Sequence, residues 1–212
     1  MNIFENIKIA QEYDAYYTTE FGQKVDLIEK ELVTTMTKDI PKTKMLELGC
    51  GTGHWTEYFL QKGFEITAID KSAAMLALAK EKNLKARFTL GDSQNLDFGK
   101  ASFSVISSIT MLSFVENQDA VIDEMYRVLK PEGWLVIGCL NANSILAKNK
   151  EQSETFKDAN FLTPKELKQK LAKFGDVKLD FAVYLDDKFT LLDSKSNASI
   201  SPVFMLATVQ KK

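Results

Sequence analysis

Three glycines fall within five positions of this chain, at Gly49, Gly51 and Gly53. They follow a short, largely apolar run, Lys44 to Leu48, and precede a helix pattern that begins at about Thr52. Glycine tolerates the backbone angles of a tight turn, and its missing side chain lets a ligand approach the backbone closely. The free N–H groups at the start of a helix add hydrogen-bond donors at the same place. The segment therefore predicts a strand–loop–helix unit that binds a ligand.

A tight turn that needs glycine only for its own geometry is the plainer alternative. It would explain one glycine, but not three glycines preceded by an acidic residue, Glu47, on an apolar strand. A dinucleotide-binding turn requires Gly-x-Gly-x-x-Gly, and His54 stands where the last glycine of that pattern belongs. An NAD-dependent oxidoreductase is therefore the weaker alternative.

Strand and helix patterns alternate at short intervals along the first 140 residues. A turn is predicted at Pro131-Glu132-Gly133, where proline fixes one dihedral angle and glycine supplies the unusual one. Such alternation is typical of a parallel sheet with helices on both faces. Strands are predicted at 44–48, 65–70, 87–90, 103–109 and 134–140, and helices at 52–61, 72–82 and 119–129.

The pattern changes after Leu140. Residues 141–161 are polar and lysine-rich, and we expect a surface loop or lid there that borders the acceptor site. Thr163, Pro164 and Glu166 form the signature of a capped helix start. Two last strands, 177–185 and 203–210, suit an antiparallel hairpin at the edge of the sheet. The prediction is one α/β domain over residues 1–212. It contains seven strands, and its residues 1–38 form an N-terminal helical cap.

Composition restricts the class of protein. A net charge of −2 argues against a nucleic-acid-binding surface, which would be basic. Cys50 and Cys139 lie in or beside apolar runs, which indicates free thiols in a reducing compartment. The N-terminal segment lacks the apolar core of a signal peptide, and no apolar run approaches eighteen residues. We expect a soluble, cytoplasmic protein without membrane insertion, either a monomer or a homodimer.

Polar residues stand at the ends of the second and third predicted strands. Asp70 lies seventeen residues after Gly53, where a carboxylate can accept hydrogen bonds from both ribose hydroxyls of a nucleoside. Asp92 can accept from an adenine amino group while the Ser93 N–H donates to a ring nitrogen. A helix-capping aspartate and an ordinary Gly-Asp turn are the alternatives. Ligands of doubly wound folds bind at the carboxyl ends of strands. The glycine loop, Asp70 and Asp92-Ser93 follow three successive predicted strands at such ends. At the strand tip, Asp70 is expected to contribute little to the core.

The segments ELGCGTG, AID, LGDSQNLDF and RVLKPEGWLVI resemble the motif series of class I S-adenosylmethionine (SAM)-dependent methyltransferases, of the small-molecule, ubiquinone/menaquinone-biosynthesis-like type. The resemblance extends from about Tyr13 to Gln210. It implies a Rossmann-like sheet of seven mostly parallel strands, with strand 7 antiparallel. It also implies SAM as cofactor and S-adenosylhomocysteine as product. The residues expected to bind the cofactor are Tyr13, Glu47, Gly49, Cys50, Gly51, Gly53, Asp70, Lys71, Asp92, Ser93 and Ser108.

Tyr13, Tyr16 and Tyr17, followed by Gly22 and Glu29, are similar to the family's YDxWF-type N-terminal segment. That similarity implies a segment that closes over the cofactor. The spacing i, i+3, i+4 equally suits three tyrosines that only pack a helix onto the domain. Both interpretations stay open at this point.

The implied reaction is transfer of a methyl group to a small acceptor by in-line displacement. A general base is needed only if the acceptor must lose a proton, and the sequence does not identify one. His54 and Tyr17 are the candidates, although His54 is more simply a residue of the first helical turn. Many relatives carry a histidine near Ser113, and here there is none; Asp97 also replaces a usual proline. No metal-ligand cluster is visible, and a SAM-binding protein without transferase activity is the main alternative.

Overall fold

A seven-stranded sheet forms the centre of the computed structural model, which describes residues 3–193 and 199–212. The sheet has the order β3-β2-β1-β4-β5-β9-β6, and a separate pair is formed by β7 and β8. The strands are β1 (Lys44–Leu48), β2 (Glu65–Asp70), β3 (Arg87–Leu90), β4 (Phe103–Ile109), β5 (Leu129–Leu140), β6 (Lys178–Ala182), β7 (Tyr184–Leu185), β8 (Leu191–Leu192) and β9 (Phe204–Gln210). Strands β1 to β5 pair in parallel, and β9 runs antiparallel to both β5 and β6. The predicted fold class, with an antiparallel last strand, is confirmed.

Helices cover both faces of this sheet. Along β4, Val105 and Ile109 belong to one apolar cluster and Ile106 to the other, as the alternation of a strand requires. The second and third helices pack on the first cluster, and the fifth and seventh on the second. The helices are α1 (Ile7–Tyr16), α2 (Glu20–Met36), α3 (His54–Gln61), α4 (Ala73–Glu81), α5 (Gln118–Val128), α6 (Ile145–Lys148) and α7 (Pro164–Leu171).

Helix starts follow the capping signals of the sequence. Ser72 accepts a hydrogen bond from the Met75 N–H and begins α4. Thr163 and Glu166 form the expected reciprocal capping box at the start of α7. The helix after the glycines begins at His54, two residues later than predicted, because Gly51 and Gly53 both adopt left-handed backbone angles. The loop is therefore two residues longer than the sequence pattern indicates.

The predicted turn at 131–133 is wrong in detail. Helix α5 ends at Val128, and β5 begins at once with Leu129, which pairs with Phe103 across an irregularity in β4. Glu132, not Gly133, takes the left-handed conformation, with φ of 61°. Gly133 is required for space, since an added Cβ would lie 2.7 Å from Leu129 Cδ1.

The strand predicted at 177–185 is divided into two. Strand β6 ends at Ala182, and Val183 has a φ of 60°, which a β-branched residue rarely adopts. Tyr184–Leu185 then leaves the main sheet and pairs with Leu191–Leu192. The edge pairing itself is as predicted, since β6 and β9 are antiparallel.

Cys50 and Cys139 are both free and buried. Burial raises the pKa of the Cys139 thiol to about 12, so the thiol is protonated and unreactive at neutral pH. Among residues 3–193 and 199–212, no helix combines the length and apolar character needed to cross a membrane.

The glycine in the middle of β5 provides a test of the packing. A Cβ on Gly138 would lie 2.7 Å from Phe204 Cζ and 3.1 Å from Ile109 Cδ1, and Phe204 is fully buried. We predict that Gly138→Ala lowers the free energy of unfolding by about 1–3 kcal/mol, measured by urea denaturation. Gly99→Ala is the matched control, because its Cβ would meet only Ser102 Oγ at 3.5 Å. Equal stability of the two variants would contradict this packing.

Candidate functional site

The glycine loop lies at the carboxyl edge of the sheet, between β1 and α3. Its amides at Gly49 and Cys50 both donate to the carbonyl oxygen of Ile69, at 2.8 and 3.1 Å, so the loop is attached to the end of β2. Gly51 has a φ of 54°, and a Cβ placed on it would meet nothing within 4 Å. A Cβ on Gly49 would instead lie 2.2 Å from Met111 Cγ. The loop therefore presents open backbone at Gly51, where a ligand can approach.

Asp70, at the end of β2, is bonded directly to this loop. Its Oδ2 accepts a hydrogen bond from the Gly51 N–H at 2.7 Å, and its Oδ1 accepts from the Ser72 N–H at 2.8 Å. Burial raises the pKa of Asp70, although these backbone donors oppose the rise. The carboxylate of Asp70 thus joins the glycine loop to the start of α4, and the expectation that Asp70 contributes little to the core stays a prediction. Each oxygen still has acceptor capacity for a ligand hydroxyl.

A second carboxylate, Asp92, follows β3. Its Oδ2 lies 3.0 Å from Lys71 Nζ, and its Oδ1 accepts from the Gln94 N–H at 2.9 Å. Burial opposes the charged form of Asp92, but the Gln94 and Lys71 donors outweigh it and lower the pKa. The Ser93 hydroxyl donates to Met111 Sδ at 3.8 Å, beside the glycine loop. Asp70, Lys71, Asp92 and Ser93 thus share one edge of the sheet, as predicted from their strand ends.

Glu47 is buried in β1, with 2% of its surface exposed. Its Oε2 accepts from the Thr56 hydroxyl at 2.6 Å, and burial together with the charge of Asp70 raises its pKa to about 8. Ser107 lies opposite Glu47 in the β1–β4 register. The hydroxyls of Ser107 and Ser108 are buried and have no hydrogen-bond partner within the part of the chain that the structure describes. Buried polar groups are normally paired, so these hydroxyls suggest a ligand or water beside β4.

The N-terminal segment is bonded to the same edge of the sheet. Asp14 Oδ1 accepts from the hydroxyl of Thr52, in the glycine loop, at 2.5 Å. Asp14 Oδ2 lies 2.7 Å from Nζ of Lys82, the residue that ends α4. The Ser72 hydroxyl donates to the Phe4 carbonyl at 2.6 Å. The sequence offered no separate signal for these contacts beyond the YD pair itself.

The tyrosines of α1 pack against one another and against α3. The hydroxyls of Tyr13 and Tyr17 are 3.2 Å apart, and the Tyr17 ring stacks on His54 with centroids 3.6 Å apart. His54 Nε2 lies 2.7 Å from Asp26 Oδ1, and Asp26 also pairs with Lys30. Burial raises the pKa of Tyr13 to about 12 and that of Tyr17 further. These contacts agree with the packing interpretation; closure over the cofactor, and a catalytic role for His54 or Tyr17, stay predictions.

A chain of aromatic rings connects the N-terminal segment to residues 141–161. Phe114 lies 4.9 Å from Phe4 and 6.1 Å from Phe156, between ring centroids. Within 141–161 the structure has the short helix α6 and a 3₁₀ turn, and the Asn160 N–H donates to the Ser113 carbonyl at 2.7 Å. The predicted loop is thus a packed segment that borders the turn after β4. Thr110, at the start of that turn, has a φ of 61°, a strained angle often found at functional sites.

The described residues contain no group of three or more His, Cys, Asp or Glu side chains that could hold a metal ion. They do fit SAM. Open backbone at Gly51 and a carboxylate with spare acceptor capacity at Asp70 form a polar cradle at one edge of the sheet, and unpaired buried hydroxyls lie on β4, the strand next to β1.

Buried Glu29 gives a test of the electrostatics of this region. Burial, and next the charge of Asp26, raise its pKa to about 8, against the opposing charge of Lys30. A raised carboxyl pKa gives stability that is present below the unfolded pKa and is lost as pH rises through the folded value. We predict that the free energy of unfolding falls between about pH 5 and pH 8, and that Glu29→Gln reduces this fall. Glu57→Gln, at an exposed position of α3, should leave it unchanged. An identical pH dependence in Glu29→Gln would contradict the assignment.

Similarities to known proteins concern the family and the fold of this chain. A family described as "Methyltransferase domain" matches residues 46–137. An uncharacterized protein of Methanocaldococcus jannaschii is 33% identical over 179 residues, which are 82% of this chain and 81% of that protein. The malonyl-[acyl-carrier protein] O-methyltransferase of Pectobacterium atrosepticum is 32% identical over 102 residues, 48% of this chain and 40% of the relative.

In fold, the chain is similar to the crystal structure of a SAM-dependent methyltransferase, a possible histamine N-methyltransferase, from Thermotoga maritima. The TM-score is 0.78 at 23% identity, and the match covers 97% of this chain and 98% of that one. The NAD alternative receives no support from any of these similarities. Residues 46–137 of this chain therefore match the methyltransferase-domain family, within a fold that is shared with a SAM-dependent methyltransferase.

Proposed function

We propose that this chain is an enzyme that transfers the methyl group of SAM to a small-molecule acceptor. The observation that carries the proposal is the contact between Asp70 and the Gly51 amide. It holds an open backbone turn beside a carboxylate at the point where the sheet order reverses between β1 and β4. Ligands of doubly wound folds bind at such a point. Free buried thiols suit a reducing compartment, so we propose that the enzyme acts in the cytoplasm.

The cofactor contacts are proposed residue by residue. Asp70 accepts from the two ribose hydroxyls with the lone pairs that Gly51 and Ser72 leave free. Asp92, oriented by Lys71, accepts from the adenine amino group, and the Ser93 N–H donates to a ring nitrogen. The remaining proposed contacts face the methionine portion of the cofactor: Tyr13, Glu47, Gly49, Cys50, Gly51, Gly53 and Ser108.

The acceptor is proposed to bind where three segments meet: the N-terminal tyrosines, the turn after β4 and residues 141–161. The ring chain through Phe4, Phe114 and Phe156 borders this region with apolar surface. When bound, SAM supplies an electrophilic methyl group on a sulfonium centre. The residues of this chain exclude water and hold the acceptor in line with that methyl, and positioning of this kind can supply most of the acceleration.

A proton-transfer residue is not part of the proposal. His54 is held by Asp26 on one side and by the Tyr17 ring on its face, and the Tyr17 hydroxyl is engaged by Tyr13. The relatives point to different acceptor atoms, since one is named for O-methylation and another for possible N-methylation. The proposal is therefore limited to a small-molecule acceptor. A SAM-binding protein without transferase activity would share every contact above, and turnover separates the two.

Ligand-dependent stability tests the proposal. We predict that SAM and S-adenosylhomocysteine raise the melting temperature, whereas NAD and NADP do not.

Asp70→Ala should weaken SAM binding by about 10–100-fold in calorimetry, because two hydrogen bonds to a charged group are lost. Asp97→Ala, in the exposed loop after β3, is the control and should bind as the wild type does. Equal stabilisation by NAD, or an Asp70→Ala affinity within twofold of the wild type, would refute the cofactor assignment. Methyl transfer to a panel of small acceptors then distinguishes an enzyme from a binding protein.

A second prediction follows from the raised pKa of Glu47. At pH 7 its carboxyl is largely protonated in the free protein, because burial raises its pKa to about 8. The methionine ammonium of SAM would favour the charged carboxylate and lower that pKa. SAM binding at pH 7 should therefore release most of a proton, measured by calorimetry in buffers of different ionisation enthalpy. Glu47→Gln should abolish the release, and Glu57→Gln should retain it. A binding enthalpy of the wild type that does not depend on the buffer would contradict the placement of Glu47.

A further inference from the structure

One acidic side chain joins the N-terminal helix α1 to the loop that is proposed to hold the cofactor. The two oxygens of Asp14 engage Thr52, between Gly51 and Gly53, and Lys82, at the end of α4. The Thr52 side chain is fully buried, and α4 begins directly after Asp70 and its bonded neighbour Ser72. The contact is therefore made with the loop itself and not with distant scaffold.

Helix α1 buries few of its own residues, although Tyr13 contacts neighbouring aromatic rings. It is ten residues long, and Ala10 is its one buried residue in the structure. An isolated helix of that length is marginal in water, so its position depends on specific contacts with the domain. Its polar contacts lie at both ends: the Ser72 hydroxyl donates to Phe4 just before the helix, and the Thr52 hydroxyl donates to Asp14 in its last turn.

These attachment points are direct neighbours of the proposed cofactor contacts. Thr52 stands between two glycines of the loop, and Ser72 donates its own N–H to Asp70. A change in the position of α1 therefore reaches the glycine loop through the hydrogen bond between Asp14 and Thr52. It reaches Asp70, which is proposed to bind the ribose, through the hydrogen bond from Ser72 to Phe4. Release of α1 would free the Thr52 hydroxyl, whose burial without a partner is unfavourable, so the loop would also rearrange.

We propose that Asp14 is a positioning residue, which holds α1 over the glycine loop and thereby keeps the bound cofactor from dissociating. The inference rests on the proposed function, since it assumes that the glycine loop binds SAM. Asp14 acts through Thr52 and Lys82 and has no proposed contact with the reacting atoms. Its loss should affect the rate at which SAM leaves more than the rate at which it arrives, because an open helix does not obstruct the approach.

The dissociation rate of SAM, measured by stopped-flow or surface binding, tests this directly. Asp14→Ala should raise it about tenfold, the size expected for one hydrogen bond to a charged group, without lowering the association rate. Thr52→Val, which removes the hydroxyl at nearly constant volume, should do the same, and Thr52→Ser should restore slow dissociation. The double variant Asp14→Ala/Thr52→Val should dissociate no faster than Asp14→Ala, because Asp14→Ala already removes the one interaction that Thr52→Val removes. Glu12→Ala, on the same helix but paired only with exposed Lys8, is the matched control and should be unchanged.

The outcomes are separable. Wild-type protein that does not bind SAM refutes the proposed function itself. Wild-type binding with an unchanged dissociation rate in Asp14→Ala, even with a lower melting temperature, shows that Asp14 is only structural and overturns the inference. If Asp14→Ala does not fold, Thr52→Val and Asp14→Asn decide in its place. Asp14→Asn keeps an acceptor for Thr52 but loses the charge, so an intermediate rate supports the proposal and a wild-type rate for both variants overturns it.

Discussion

The hydrogen bond from the Gly51 amide to Asp70 is the contact on which the rest of the site depends. It fixes a loop of left-handed glycines against the end of β2, and the other oxygen of the same carboxylate fixes Ser72 at the start of α4. The helix that follows the loop, α3, and the helix that follows the strand, α4, are thus linked at their starts by a single side chain. Burial raises the pKa of Asp70, backbone donors oppose that rise, and a nucleoside would add two more donors.

Sequence patterns predicted the first four strands at their observed bounds, because each is an apolar run that ends in glycine or a polar residue. The errors lie where residues adopt angles that their type disfavours. Glu132 and Val183 both have positive φ, and each marks a strand boundary that was misplaced. The residue type does not predict a positive φ at either position, because the angle results from packing. Gly133 lies close to Leu129, and the Val203 N–H donates to the Val183 carbonyl.

The site was predictable in one respect and not in another. Strand ends of a parallel sheet meet at one edge, so Asp70 and Asp92 could be placed together from their positions along the chain. The pairs Asp14–Thr52 and Asp26–His54 could not, because they join residues 38 and 28 positions apart on different elements. Their partners depend on how the N-terminal helices cross the sheet edge, which periodicity does not determine. The unpaired hydroxyls of Ser107 and Ser108 likewise become visible only when burial is known.

Two carboxyl groups with raised pKa, those of Glu47 and Asp70, flank the glycine loop, and a third, that of Glu29, lies in α2. Apolar residues of similar volume would stabilise the free protein more, because each buried carboxyl loses hydration that its few partners only partly replace. Glu47 and Asp70 both belong to the proposed cofactor site, which gives a physical reason for these two carboxyl groups. A ligand with an ammonium group and two ribose hydroxyls provides the donors that these acceptors lack. Binding would then pair these groups, and the affinity for a cationic nucleoside would arise from polarity that is in place before the ligand arrives.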